Sequence, residues 1–482
     1  MTNRDDIKAF ILGLEQQFPV NNWTCGGLHL WPVIRIRLFF YLIDRLEKQT
    51  SHIVGIDIRR LGWRDHLRGL ASAGFYRAGL PNRHKKYVFA SADAHYVNHE
   101  GLRFNRFFDP WLKDEKLAGE SAVLLYDSSA PDGRYRQENI LRYPLLLEGY
   151  LYLARSFGAK LEYDLSGYRE FLEVLDQNPL TQPFAKVFTP KSLIRFMRYD
   201  FHPRMRFFTK LWKRIQPEKV AILCYYGSRD AYAMIAAANR LGIPTAELQH
   251  GPQTDIHLCY GNWNNLPATG YDVLPRTFWC WDDGTAGVMR QWTARNPLYR
   301  VEVTGNPWVE YWRGRSVDYP EKGFVLYTLQ TAPLTLEMLF PPQMISVIKQ
   351  DARTWYIRLH PRQLKDMHSI REYLSKLGIA DKINLDNGTN DPLPLLLTHA
   401  SLHLTHFSGS VIEAAQLGTP TILLHPTSLS SFPEILARGA AVYLDISSPD
   451  FATSFLHLSA KLSAIGTLAP AAHAVNPYVQ NR

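Results

Sequence analysis

The chain is poor in cysteine, has no long apolar run and lacks the common phosphate-binding fingerprints, and each shortage removes a class of function. Its four cysteines, Cys25, Cys224, Cys259 and Cys280, form no C-x-x-C pair in 482 residues, which points to a reducing compartment and away from structural zinc. No run of 18 apolar residues occurs, and the amino-terminal MTNRDDIKAF has no signal-peptide core; a cytoplasmic protein is expected. No G-x-G-x-x-G follows a strand pattern, against an NAD enzyme, and there is no Walker A sequence, against ATP-driven phosphoryl transfer. No internal repeat or long low-complexity segment is present, and neither a metal nor a cofactor is expected.

What is there fits a packed protein of more than one domain. The sequence is 46% hydrophobic and 21% charged, and its length exceeds one ordinary domain of about 100–200 residues, so two globular units plus an appendage are expected. The 12 Trp, 25 Tyr and 24 Phe suit large cores and also the walls of sugar clefts. A net charge of +9 is concentrated in two basic, aromatic-rich stretches, residues 59–86 and 191–219. No RRM, KH, helix-turn-helix or zinc-finger pattern accompanies them, so no nucleic-acid partner is expected. An anionic membrane surface or polymer fits equally well, with the protein peripheral on the inner membrane.

Periodicity divides the chain into three parts. Residues 1–84 read as a helical, partly basic N-terminal appendage, with helices over 5–18 and 31–46. Residues 85–307 read as a first α/β domain with strands at 87–90, 122–126, 220–225, 245–249, 278–281 and 301–304, and helices at 138–156, 231–241 and 286–294. Residues 308–482 read as a second, with strands at 323–328, 355–359, 382–386, 401–405, 420–424 and 441–445. Its THASLHLTHFSGSVIEAAQLGTPTILLHP segment is a strand, a Ser/Gly turn, a helix over 411–417 stopped by Gly418, and another strand. Such βαβ units make parallel sheets that bind ligands outside the carboxyl ends of their strands.

Three short motifs fall at such ends: Gln249-His250-Gly251, His360-Pro361-Arg362, and Ser408-Gly409-Ser410 with Glu413. A small-residue turn opening a helix presents unpaired N–H groups and the positive end of the helix dipole, which suits a phosphate. His360 and Arg362 can join it, and Glu413 can reach ribose hydroxyls as a two-oxygen acceptor. Glu413 also stands where a capping box would place it after Ser410, which would leave a capped helix with no ligand. A cleft lined by 249–257, 360–362 and 406–413 is expected.

The set of motifs, with Gly305-Asn306-Pro307 at the domain junction and S-G-S-x-x-E-A-x-x-x-G-x-P, resembles GT-B glycosyltransferases of bacterial surface-polysaccharide assembly. His-Gly in the first domain paired with His-Pro in the second is similar to the capsule and teichoic-acid polymerases. The order Asp282-Asp283-Gly284, His360-Pro361, Ser408–Ser410 resembles bacterial sialyltransferases. The likeness covers about residues 220–430. It implies a metal-independent enzyme with two Rossmann-like domains, moving a sugar of Kdo or sialic acid type from a CMP- or similarly activated nucleotide-sugar donor to a surface polysaccharide or lipid-linked glycan acceptor. His360, Arg362, Ser408, Gly409, Ser410 and Glu413 would hold the donor nucleotide. The base would be His250, then Asp255, then Asp282 or Asp283, although that acidic pair follows Trp281 and serves equally as a helix start. Two alternatives remain at this point: a non-hydrolysing nucleotide-sugar epimerase and a catalytically silent assembly subunit.

Overall fold

The structure is a computed structural model that describes all residues except 2, 48–54, 57–61, 65–66, 68–83, 114, 126–133, 157–159, 314, 316, 332 and 466–482. Arg59, Arg60, Arg68, Arg77 and Arg83 of the first basic stretch therefore lie outside the described residues. The chain divides into two compact units, Met1–Pro307 and Trp308–Arg482, each built on one parallel sheet.

In the first unit the strands are β1 (Tyr87–Ser91), β2 (Ser121–Leu125), β3 (Ile140–Arg142), β4 (Lys219–Leu223), β5 (Thr245–Leu248), β6 (Thr277–Cys280) and β7 (Arg300–Val303). They lie in the order β7-β6-β5-β4-β1-β2-β3, every pair parallel. The chain leaves β1 toward one edge and returns at β4 toward the other, so the topological switch point falls between β1 and β4. Apolar runs such as Val220–Leu223 and Ala246 are fully buried, as strands covered by helices on both faces must be.

The second unit repeats the plan with β8 (Val325–Thr328), β9 (Trp355–Arg358), β10 (Ile383–Asn384), β11 (Leu402–Thr405), β12 (Thr421–Leu423) and β13 (Ala441–Tyr443), in the order β10-β9-β8-β11-β12-β13, again parallel throughout. Its switch point lies between β8 and β11. The protein thus consists of two Rossmann-like α/β domains. No helix among the described residues is long and apolar enough to cross a membrane.

The loop region around 96–105 forms an antiparallel pair, Tyr96–His99 with Leu102–Asn105, and two further elements differ from the sequence pattern. The helix expected over 138–156 is a strand, β3, followed by a helix over Pro144–Ser156; Pro144 biases Tyr143 toward extended backbone and itself suits the first helical turn. The strand expected over 382–386 ends at Asn384, whose side chain accepts from Asn387 N at 3.0 Å and so starts a helix over Leu385–Asn390.

N-terminal to the first sheet stand α1 (Arg4–Gln17) and α2 (Trp31–Glu47), whose apolar faces share the sheet's core. Arg35 of α2 is wholly buried and is satisfied there. Its Nε donates to Glu15 Oε1 at 2.7 Å, Nη2 donates to Asn262 O at 2.9 Å, Nη1 donates to Leu258 O, and the guanidinium lies 4.0 Å from the Trp263 ring centroid.

Candidate functional site

At the carboxyl end of the second sheet, a polar network stitches the strands around the switch point. His403 of β11 is completely buried; its Nε2 lies 3.1 Å from Thr328 Oγ1 at the end of β8, and its Nδ1 3.1 Å from Thr421 Oγ1 on β12. Ser410 Oγ joins them, 3.0 Å from Thr328 Oγ1 and 3.3 Å from His403 Nε2. Burial holds His403 uncharged, pushing it down to about 3. Just beyond the strands, Phe407 N donates to Gln330 Oε1 at 2.7 Å, Gln363 Nε2 to Gln330 O at 3.3 Å, and His360 N to Gln363 Oε1 at 2.9 Å. The ends of β8, β9 and β11 are thereby tied into one rim.

On that rim His360 and His425 repeat one device. Each precedes a proline, and each ring accepts from a backbone N–H two residues on: Arg362 N to His360 Nδ1 at 3.1 Å, Thr427 N to His425 Nδ1 at 3.2 Å. An Nδ1 that accepts leaves the proton of a neutral imidazole on Nε2. Burial, then the nearby Arg362, lowers the His360 pKa, so His360 is a neutral Nε2–H donor at neutral pH. The turn after β11 opens the helix Ser410–Leu417 with Gly409 as its N-cap and no side-chain cap. The capping box expected between Ser410 and Glu413 does not form, because the Ser410 hydroxyl turns inward to Thr328 and His403; Ser410 N is instead taken by Ser408 Oγ at 3.3 Å. His406, 1% exposed, has Nε2 2.9 Å from Tyr327 OH, while its Nδ1 has no partner. Arg362 is held near the rim by the same turn as His360.

The carboxyl end of the first sheet is built differently. Cys224, directly after β4, has φ +57°, a left-handed conformation costly for a residue with a Cβ and typical of strained functional turns. Across from it, Glu247 of β5 is 1% exposed; Tyr260 OH donates to its Oε1 at 2.8 Å, and its Oε2 has no partner. Burial lifts this carboxyl to about 8 against the smaller opposing pull of the Tyr260 bond and of the nearby backbone N–H groups of Tyr225 and Cys224. Glu247 is therefore largely protonated at neutral pH and titrates close to it. His250 Nδ1 lies 3.7 Å from Glu247 Oε1, is buried and has no hydrogen-bond partner; burial pushes His250 down to about 4. His95 and His250 ring centroids are 5.9 Å apart.

The other first-unit candidates are structurally engaged. Gln249 braces β5 to β6: its N donates to Trp279 O at 2.9 Å and its Oε1 accepts from Trp281 N at 2.7 Å. Asp255 bonds Lys8 Nζ at 2.7 Å through Oδ2 and Asn262 Nδ2 at 2.8 Å through Oδ1. Asp282 is the N-cap of the helix Asp283–Thr293, accepting from Thr285 N at 2.7 Å, and Asp283 lies in that helix's first turn, 2.9 Å from Arg290 Nη1. In the second basic stretch, Arg204 is spent internally on Asp200 and Asp230. Glu247, Tyr260, His403 and His425 are residues that sequence reasoning passed over. The second His-Pro pair was visible as a repeat of the first; the burial of Glu247 was not.

No protein-family model matches the chain, and no curated protein matches it. Among solved structures it is similar to the UDP-GlcNAc 2-epimerase from Neisseria meningitidis bound to UDP-GlcNAc, at 15% identity and TM-score 0.46 over 81% of this chain and 94% of that one. It is similar also to UDP-GlcNAc 2-epimerase from Methanocaldococcus jannaschii in complex with UDP-GlcNAc and UDP, at 14% identity and TM-score 0.44 over 81% and 95%, and to UDP-N-acetylglucosamine 2-epimerase from Rickettsia bellii, at 14% and 0.42 over 79% and 88%. On this finding the expected glycosyltransferase activity is corrected: the similar structures are epimerases. The short motifs were read as a transferase signature because a turn that grips a nucleotide looks the same whatever becomes of the sugar.

Proposed function

We propose that the chain is a nucleotide-sugar epimerase in which the second unit binds the nucleotide and Glu247 of the first carries the proton. The single observation that supports this most is the placement of the Glu247 carboxyl: 1% exposed, bonded by Tyr260 OH at 2.8 Å and 3.7 Å from His250 Nδ1, with burial raising it to about 8. A proton-transfer group is most effective when its pKa lies near the working pH, and Glu247 meets that condition while His250, held near 4, is a weak base.

The rim of the second sheet supports nucleotide binding. The neutral Nε2–H of His360, the Arg362 guanidinium and backbone N–H groups around Ser408 and Gly409 are donors to phosphate oxygens, and Glu413 is an acceptor for ribose hydroxyls. The Ser410 hydroxyl keeps the turn in shape from inside. A ring C–H beside the anomeric carbon is too weak an acid to be removed alone; as a base takes that proton the C–H pair forms a ring double bond and the nucleoside diphosphate leaves with the C–O pair, and its re-addition with reprotonation on the opposite face completes the inversion. Glu247, Tyr260 and neutral His250 are the proton-bearing groups that the first unit offers.

The test is incubation with a panel of nucleotide sugars in heavy water, with no acceptor added, followed by proton NMR. Appearance of a second epimer carrying solvent deuterium at the inverted carbon is expected for one of them. No exchange with any member, despite calorimetric binding of its nucleotide, would overturn the epimerase reading.

A further inference from the structure

Arg35 and Arg37 stand two residues apart on α2, and both are buried, at 0% and 3% exposure. Arg35 is fully provided for, as described above. Arg37 is not: its Nε and Nη1 are buried and without a hydrogen-bond partner. Leaving a buried guanidinium unpaired costs several kcal/mol, so a fold that keeps one invites an anion.

The surroundings fit that demand. The Arg37 guanidinium carbon lies 4.8 Å from the Phe196 ring centroid, and that of Arg229 lies 5.4 Å from the same ring. One turn along the helix Arg229–Arg240, Tyr232 is 2% exposed and its hydroxyl also has no partner. The nearby carboxylates are already taken. Asp200 accepts from Arg204 Nε at 3.0 Å and Nη2 at 3.2 Å and from Arg229 Nη1 at 3.4 Å; Asp230 accepts from Arg204 Nη1 and, at 2.9 Å, from Tyr143 OH. Both carboxylates are thus engaged by Arg204, Arg229 and Tyr143, and neither accepts from Arg37. Burial lowers the Arg37 pKa only to about 10, so the charge persists at neutral pH.

We infer that Arg37, Tyr232 and Arg229 form a binding site for an oxyanion, a carboxylate or a phosphate, separate from the nucleotide rim of the second unit. With Arg37 3% exposed, the ligand is a small anion or the anionic end of a larger molecule. Two orphaned donors of different chemistry, a guanidinium and a hydroxyl, match an oxyanion with at least two free oxygens.

The experiment is thermal unfolding of the full chain titrated with sodium phosphate or sodium acetate against sodium chloride at matched ionic strength. Wild type is expected to rise in melting temperature saturably with phosphate or with acetate, the responding arm identifying the anion. Arg37→Met should lose that response while melting in chloride no lower than wild type, since it removes an unpaired buried charge; Tyr232→Phe should bind about tenfold more weakly, the effect of one hydrogen bond to a charged group. Phosphate held by the second unit would act on all three proteins alike and cancels in the comparison. A wild type with no oxyanion response beyond chloride, or an Arg37→Met or Tyr232→Phe response equal to wild type, would overturn the site. If Arg37→Met melts well below wild type in chloride, Arg37 is a structural cation and the inference falls likewise.

Discussion

At the switch point of the second sheet, His403 has both ring nitrogens bonded to hydroxyls on neighbouring strands; at the matching end of the first, Glu247 Oε2 and His250 Nδ1 are buried with no partner. The two sheets share one strand order up to the sixth strand, so the contrast comes from side chains and not from topology. A satisfied network in a low dielectric is rigid, which suits the surface proposed above to hold the nucleotide. Orphaned buried groups are expensive, and they persist where a displaced pKa is useful. Among the described residues of that edge, His406 Nδ1 is the point at which the second resembles the first.

The sharpest way to break this contrast is at its most costly group. Glu247→Gln keeps an acceptor for Tyr260 and removes the titrating proton; turnover should fall by about 10²–10⁴-fold while nucleotide affinity measured by calorimetry stays near wild type. An unchanged turnover would make Glu247 structural. The same variant should alter the pH dependence of stability. A carboxyl raised from 4.5 to about 8 on folding makes the folded state bind more protons across that window, so its stabilising effect is complete below about 4.5 and is lost as pH rises to about 8. The melting-temperature difference between wild type and Glu247→Gln should therefore shift against wild type between pH 5 and pH 8.

On the satisfied side, His403→Leu leaves the hydroxyls of Thr328, Ser410 and Thr421 short of a partner and should cost about 2–3 kcal/mol, read as a lower denaturation midpoint. His360→Ala should weaken nucleoside diphosphate binding by about tenfold, the loss of one hydrogen bond to a charged group, with little change in melting temperature. The smallest effect belongs to Asp255→Asn. Its pair with Lys8 is partly exposed, at 45% and 23% of the side chains, so solvent screening keeps its contribution under about 1 kcal/mol; turnover should be unaltered if Asp255 only braces its loop, and a large drop would restore it as a base.

Much of this was legible in the sequence because strand ends announce themselves: His360, Ser408, Gly409 and His250 are small or polar residues directly after apolar runs. Glu247 was not legible. It sits inside Thr245–Leu248, where an isolated acid reads as the solvent side of a half-buried strand, and its burial depends on Tyr260 and Cys224, which other segments deliver. His403 was hidden in the same way by its position within β11. The inward turn of the Ser410 hydroxyl was not legible, since a serine before a helix is normally its cap, and only Thr328, 82 residues away, explains it.

The burial of Arg35 also sets a timetable for synthesis. Its carbonyl partners Leu258 and Asn262 follow it by 223 and 227 residues, which at about 5–20 residues per second means a wait on the order of 10–45 s before they leave the ribosome. Throughout that interval α2, with Trp31, Ile34, Leu38 and Phe39 destined for the core, has no finished surface to dock on. Closing such distant contacts is slow, so the packing of α2 is completed only after most of the first unit has been made, although α2 is among the first helices to be synthesised.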